Sequence, residues 1–149
     1  MPQQLNPVAG WIYSRLASSS VVTDWVGINE TEGTWNIYEG VAIQGATFPM
    51  IVFTFAGSTT KRGGFDRKVF MKLNYNIVAI DEHPTSFGGV GPIADEIEKL
   101  FTQAQDVVDD LVAGSTPMGD IQFPDLSGGK RRNHQGKQVQ IFAYSQSGE

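Results

Sequence analysis

A chain of 149 residues with 40% hydrophobic and 18% charged residues is long enough for one domain with a real core, too short for two independent ones, and too apolar for a disordered tail. Eleven Lys plus Arg against sixteen Asp plus Glu give a net charge of -5, so the chain as a whole does not attract nucleic acid or an anionic membrane, and any such contact would need a local basic patch. The absence of cysteine removes disulfides, thiolate metal sites and thiol nucleophiles, and fits folding in a reducing compartment.

The first residues, "MPQQLNPVAG", lack a basic segment followed by an apolar one, so no signal peptide is expected. The longest apolar run, around "FPMIVFTFAG", is about half the length a membrane-spanning helix needs. The expectation is a soluble, cytoplasm-type protein, in which the glycosylation-like triplet Asn29 to Thr31 is a chance match. Asn6 followed by Pro7 has the form of a helix start, an Asn cap before a proline that has no N–H to satisfy. Val8, Trp11, Ile12 and Leu16 share one face of the helix predicted from Pro7 to Ser18. Gly10 weakens it slightly. From Ser19 to Asn36 the pattern is irregular, with Trp25 and Trp35 expected to pack at the domain edge.

In "FPMIVFTFAG", Ile51, Phe53 and Phe55 alternate with Met50, Val52 and Thr54, so both faces are largely apolar and the strand is central. Pro49 stands at its first residue, where sheets tolerate proline. The stretch "GSTTKRGGFDRK", Gly57 to Lys68, is a polar connection too long for a tight turn. A second strand spans Lys68 to Ile80, with Val69, Met71, Leu73, Tyr75 and Ile77 on one face and Lys72, Asn74 and Asn76 on the other. A helix then begins at Pro92, with Ile93, Ile97, Leu100, Phe101 and Ala104 at helical spacing and Asp95 and Glu96 in its first turn. The same spacing carries it through Val107, Val108 and Leu111 to a stop near Gly114. The last strands are "MGDIQF" and "KQVQIFAYS", joined by "PDLSGGKRRNHQG". The expected fold class is α+β: a mostly antiparallel sheet of about four or five strands, two helices packed on one face, and a long protruding β-hairpin loop, in one domain over 1–149.

Few stretches carry chemistry. "GGVGPIA" has the form of a dinucleotide-binding turn, but it lies some eight residues after the strand end near Ile80, and Pro92 deletes a helix N–H that a pyrophosphate would accept from. Asp81, Glu82 and His83 are the residue types of a metal or general-base site, yet neighbours on a strand point to opposite sides, and a solvated strand end accounts for them. "GGKRRNHQGK" could grip phosphates, but with no interleaved aromatic it reads as a protein-contact or solvated loop. Its Lys130, Arg131, Arg132 and His134 form a second candidate contact set. The first is the hairpin loop, Thr59, Thr60, Lys61, Arg62, Phe65, Asp66 and Arg67, a basic tip with one aromatic that could order against an acidic partner. No enzyme activity, cofactor or metal is expected.

The most informative stretch is "IYEGVAIQGATFPMIVFTF". It resembles the signature of the tailed-phage tail-terminator (tail-completion) family, "IY-x-G-x-A-P-Q-G-A-x-x-P-Y-V-V", at Ile37, Tyr38, Gly40, Ala42, Gln44, Gly45, Ala46 and Pro49. It departs from it at Ile43, where proline is usual, and at Met50, where an aromatic is usual. The order of elements resembles the family's over most of the chain. The resemblance implies a subunit of a homo-oligomeric, hexameric ring that caps the completed tail tube and offers the head-joining surface. Its partners would be copies of itself, the tail tube protein and a head-tail connector or stopper protein, with no membrane and no sequence-specific nucleic acid. Its place would be the virion tail or neck, after assembly in the host cytoplasm. A head-side connector subunit is the nearest alternative, and a small acidic enzyme or nucleotide-binding domain a more distant one.

Overall fold

The computed structural model describes residues 5–29, 33–41, 47–63, 68–83, 86, 89–108, 111–126 and 129–145. Its elements in chain order are α1 (Leu5–Ala17), α2 (Ser20–Val26), β1 (Ile28–Asn29), β2 (Thr34–Trp35), β3 (Ile37–Glu39), β4 (Met50–Gly63), β5 (Lys68–Glu82), α3 (Gly91–Phe101), β6 (Gln105–Val108), β7 (Leu111–Asp125) and β8 (Arg132–Ser145). Strands β1 and β2 form an antiparallel ribbon. The other six make one sheet in the order β3-β4-β5-β8-β7-β6, antiparallel throughout except that β3 runs parallel to β4.

Alternation sorts the long strands into two faces. Ile51, Phe53, Leu73, Tyr75, Ile77, Ala79, Val139, Ile141 and Ala143 face the helices and bury with Val8, Trp11, Ile12 and Leu16 of α1, Val22 and Val26 of α2, and Ile93, Ile97 and Phe101 of α3. Each fully buried aliphatic side chain stabilises the fold by about 1.5–3 kcal/mol. Tyr75 lies inside this layer, beside Phe53 and Phe55. Burial, aided by the Glu39 charge, pushes its hydroxyl up to about 12. The same face carries a buried cation: Lys137 of β8 hydrogen-bonds Asp120 of β7 and lies 3.6 Å from Glu98 of α3. The Asp120 hydrogen bond, outweighing burial, raises its pKa. That pair ties the helix to the sheet.

The long β5–β8 pairing runs from Phe70↔Tyr144 to Glu82↔Arg132, and Gly136 lets the two backbones approach in its middle. A Cβ at Gly136 would overlap the Ile77 carbonyl oxygen and stand 2.7 Å from Val78 Cα. Only glycine fits there.

The expected architecture is corrected on several points. The protein is mostly β, with a curled, mixed six-stranded sheet, a separate two-stranded ribbon and three helices, in place of two helices on a mostly antiparallel sheet of four or five strands. The stretch Ser19 to Asn36 looked irregular because its elements are short. Helix α2 has 7 residues and each ribbon strand 2, less than periodicity needs. Ser19 caps α2 by accepting from Val22 N, and Gly27, at φ 71°, ends it. A buried relay then docks the ribbon on β3: Asn29 donates to the Tyr38 hydroxyl (2.7 Å), Tyr38 donates to Asn36 Oδ1 (2.6 Å), and Asn36 donates to the Val26 carbonyl (2.9 Å).

Helix α3 stops at Phe101 and does not run on to Gly114. Gln103 turns the chain in the left-handed region (φ 51°), a role sequence patterns assign to glycine or asparagine. The open carbonyls at this helix end are met from outside: Arg15 donates to Leu100 O at 2.6 and 2.9 Å, and Ser115 Oγ to Phe101 O at 2.8 Å. Val107 and Val108 therefore belong to strand β6. The long polar hairpin loop is also shorter than expected, since the β4–β5 ladder closes at Gly63↔Lys68.

Gly136→Ala should lower stability by about 2 kcal/mol or more, because the displaced neighbour is backbone and cannot swing away. Gly119→Ala, with no atom within 4 Å of the added carbon, should cost far less. Urea midpoints of the two variants decide it, and equal values would refute the close-approach reading.

Candidate assembly interface

The two strand ends weighed separately in the sequence come together in space. Because β5 and β8 are antiparallel, Asp81 pairs with Asn133 and Glu82 with Arg132, so the acidic end of one strand meets the basic start of the other. Asn133, fully buried, donates to Asp81 Oδ1 at 2.9 Å and to the His83 carbonyl at 3.2 Å, and accepts from Arg131 Nε at 2.7 Å. Arg132 Nε lies 3.6 Å from Glu82 Oε2. His83 Nδ1 accepts from Ser86 N at 3.2 Å. Asp81, Glu82 and His83 thus address three different partners and do not converge. Asp81 is a half-buried, hydrogen-bonded group, which corrects the solvated strand end. Its Oδ2 also lies where a Gly89 Cβ would be, 2.6 Å away, so a carboxylate already occupies the approach to α3 at "GGVGPIA", beside the helix end that favours negative charge.

On the face of the sheet away from the helices, Tyr38, Met50 and Ile80 form a small second core with Phe48, Val52 and Val78. Above it opens an apolar cleft of ≈ 380 Å³, whose wall also includes Val41, Asp125, Arg132 and His134. Val41 is 81% exposed, and Phe123 and Leu126 add further exposed apolar surface from β7 and the residue after it. The polar wall is spread over aromatic rings. The Arg132 guanidinium lies 4.8 Å above Phe48, and His134 stacks on Phe123 at 4.4 Å. Among the described residues, Arg132 Nε and His134 Nε2 are buried without a hydrogen-bond partner, and Asp125 Oδ2 is 3.9 Å from that imidazole nitrogen. Burial holds the His134 pKa below its ordinary value despite the Asp125 charge, with Arg132 pushing the same way as burial.

The second candidate contact set therefore divides. Lys130 is exposed and, with Arg131, borders an open, mixed-charge depression of ≈ 550 Å³ shared with Glu82, His83 and Leu126. Arg132 and His134 are strand residues on the apolar cleft. In the first set, Thr59, Thr60, Lys61 and Arg62 lie in β4 with ladder partners on β5, so they are strand and not loop. Phe65, Asp66 and Arg67 lie outside the described residues, as do Ala42, Gln44, Gly45 and Ala46 of the signature. The cleft was not foreseen. Its one visible signal was that both faces of "MIVFTF" are apolar while only one can face the helices. Among the described residues no helix is long and apolar enough to cross a membrane.

No family model matches the sequence. No curated protein matches it either. The fold is similar to that of a chain in the virion of a native gene transfer agent particle, with a TM-score of 0.63 at 12% identity, over 88% of this chain and 91% of that one.

Two outcomes follow from this geometry. Asp81→Ala should cost about 1–2 kcal/mol, since it takes one of the two acceptors from the buried Asn133 amide, and an unchanged urea midpoint would refute that role. A depressed histidine pKa means the unfolded chain takes up the proton more readily, so its contribution is present above the ordinary imidazole value and is lost as pH falls below about 6.5. His134→Gln should flatten the fall in stability on the acid side of that value, whereas an identical slope in variant and parent would show that His134 is not the group responsible.

Proposed function

We propose that this protein is a structural subunit of a tailed virus-like particle that closes into a ring, caps the completed tail tube and offers the surface on which the head is joined. The observation that carries the reading is the likeness of fold, over nearly the whole length of both chains, to a chain of a gene transfer agent virion. The terminator-like signature from Ile37 to Pro49 supports the finer placement at the tail end. Its partners are further copies of the chain, the tail tube protein and a head-side connector or stopper protein, and its place is the tail or neck. The role is one of assembly and not of catalysis. It asks for contact surfaces, and the apolar cleft and the mixed-charge depression are two.

A single open sheet with two different edges suits such a ring, because a head-to-tail contact uses two distinct surfaces and closes when its rotation divides a circle. Sedimentation of the purified protein over a range of concentrations, with copy counting in purified particles, tests this. The expected result is a multi-copy ring in the particle and self-association at high concentration. A protein that stays monomeric in solution and is present once per particle would overturn the reading.

A further inference from the structure

The sheet has two free edges of opposite character. Among the described residues, β4 from Thr54 onward pairs only with β5, because β3 ends opposite Phe53, and β6 pairs only with β7. Unpaired edges are templates for another strand, and proteins that stay single blunt them with lysine, proline or a covering element. The β6 edge reads Gln105-Asp106-Val107-Val108 and has neither residue, and Val107 is 59% exposed. Past its bulge at Phe55/Gly57, β4 reads Ser58-Thr59-Thr60 before its first charge at Lys61.

Hydrogen-bond alternation shows which backbone groups are open. Ser115 N donates to Ala104 O at 2.9 Å, so the groups of Gln105 and Val107, offset by one and three residues, face away from β7. Ile51 N donates to Asn36 O, and Phe53 O accepts from Gly40 N, so Phe55 also faces away from β5. Beyond the bulge, the β5 register assigns that position to Ser58 and Thr60.

Strand direction and charge name the partner. Four antiparallel steps separate β4 from β6 through β5, β8 and β7, so β4 and β6 run the same way. A rotation about an axis along the strands would set the β6 of one copy beside the β4 of another, parallel to it and in line with β3, which already pairs parallel to the earlier part of β4. The β4 edge ends in Lys61 and Arg62 and leads to Lys68 at the start of β5, while the sequence after β6 continues with Asp109 and Asp110. Opposite charges thus favour unlike edges and disfavour like ones. Asp106 holds Trp11 Nε1 at 2.7 Å and Arg15 at 3.3 Å on the helix side, so Val107 lies on the helix-free face, the one that carries the apolar cleft.

We propose that copies of this chain associate by parallel pairing of the β6 edge of one with the free β4 edge, residues 54–63, of the next. The proposal rests on the ring reading and specifies its contact. Proline at Val107 or at Ser58 removes one outward N–H and spares the ladder inside the protomer. Val107→Lys and Ser58→Glu do the same work by like-charge repulsion should a proline variant unfold. The purified full-length variants are followed by sedimentation, with circular dichroism and thermal unfolding to confirm the fold. Each variant alone should be monomeric where the parent assembles. An equimolar mixture of Val107→Pro and Ser58→Pro should give a one-to-one heterodimer and nothing larger, because one good edge of each kind remains, whereas in a mixture of Val107→Lys and Ser58→Glu the two altered edges carry opposite charges and assembly should resume. A folded single variant that assembles like the parent, or a folded mixture that stays monomeric, would overturn the edge pairing while leaving the ring reading standing. A parent that never assembles, in solution or in particles, would overturn both.

Discussion

The register of β5 against β8 is the constraint on which the rest of this structure depends. It is held where the two backbones close up at Gly136 and Val78, and alternation converts that one fixed point into the identity of both faces. With this register, Tyr75, Ile77, Val139 and Ile141 lie under the helices, Lys137 reaches both Glu98 and Asp120, and Asn133 meets Asp81. A slip of one residue would send Lys137 to the open face and His134 into the core, stranding a cation and an imidazole at once. The buried polar groups therefore act as checks on the register.

The same register explains why the residues that look most like chemistry serve the fold. Asp81, Glu82, Arg131, Arg132 and Asn133 close the end of the β5–β8 ladder by hydrogen bonds and ion contacts. Their charges answer one another across two strands. Among the described residues, open surface includes the apolar cleft on the helix-free face, the mixed-charge depression beside Lys130 and Arg131, and backbone at two strand edges. Surfaces of that kind can bind other protein through shape and main-chain hydrogen bonds, and this is the physical link from the sheet to the proposed role in assembly.

Strand β5 was legible in sequence because period-two alternation over many residues has few rivals, and Lys68 to Ile80 lies within it as found, whereas β7 and β8 were expected only over 118–123 and 137–145, well short of Leu111–Asp125 and Arg132–Ser145. The inner face was legible too, since Ile51, Phe53, Tyr75 and Ile77 stand two apart. Three things were hidden for different reasons. Helix α2 and the ribbon are too short to show a period, and they owe their form to a Ser19 cap, to Gly27 and to the Asn29, Asn36 and Tyr38 relay. The end of α3 was misplaced because Val107, Val108 and Leu111 fit helical spacing by coincidence, whereas the stop depends on Arg15, 85 residues away from Leu100 in sequence. The parallel addition of β3 also left no sequence trace, because pairing direction is a property of the chain path. Of the candidate contact residues, Arg132 and His134 proved to line a cleft that no local pattern encodes, since its walls come from β4, β5, β7 and β8.

The central claim is that this chain is a multi-copy structural part of a virion. Averaged electron-microscope images of purified particles, with an antibody fragment or a genetic tag marking this chain, test it most directly. The account predicts density in the form of a closed ring at the head-proximal end of the tail tube. Label absent from assembled particles would contradict the claim, and label confined to the head side would move the protein to the connector.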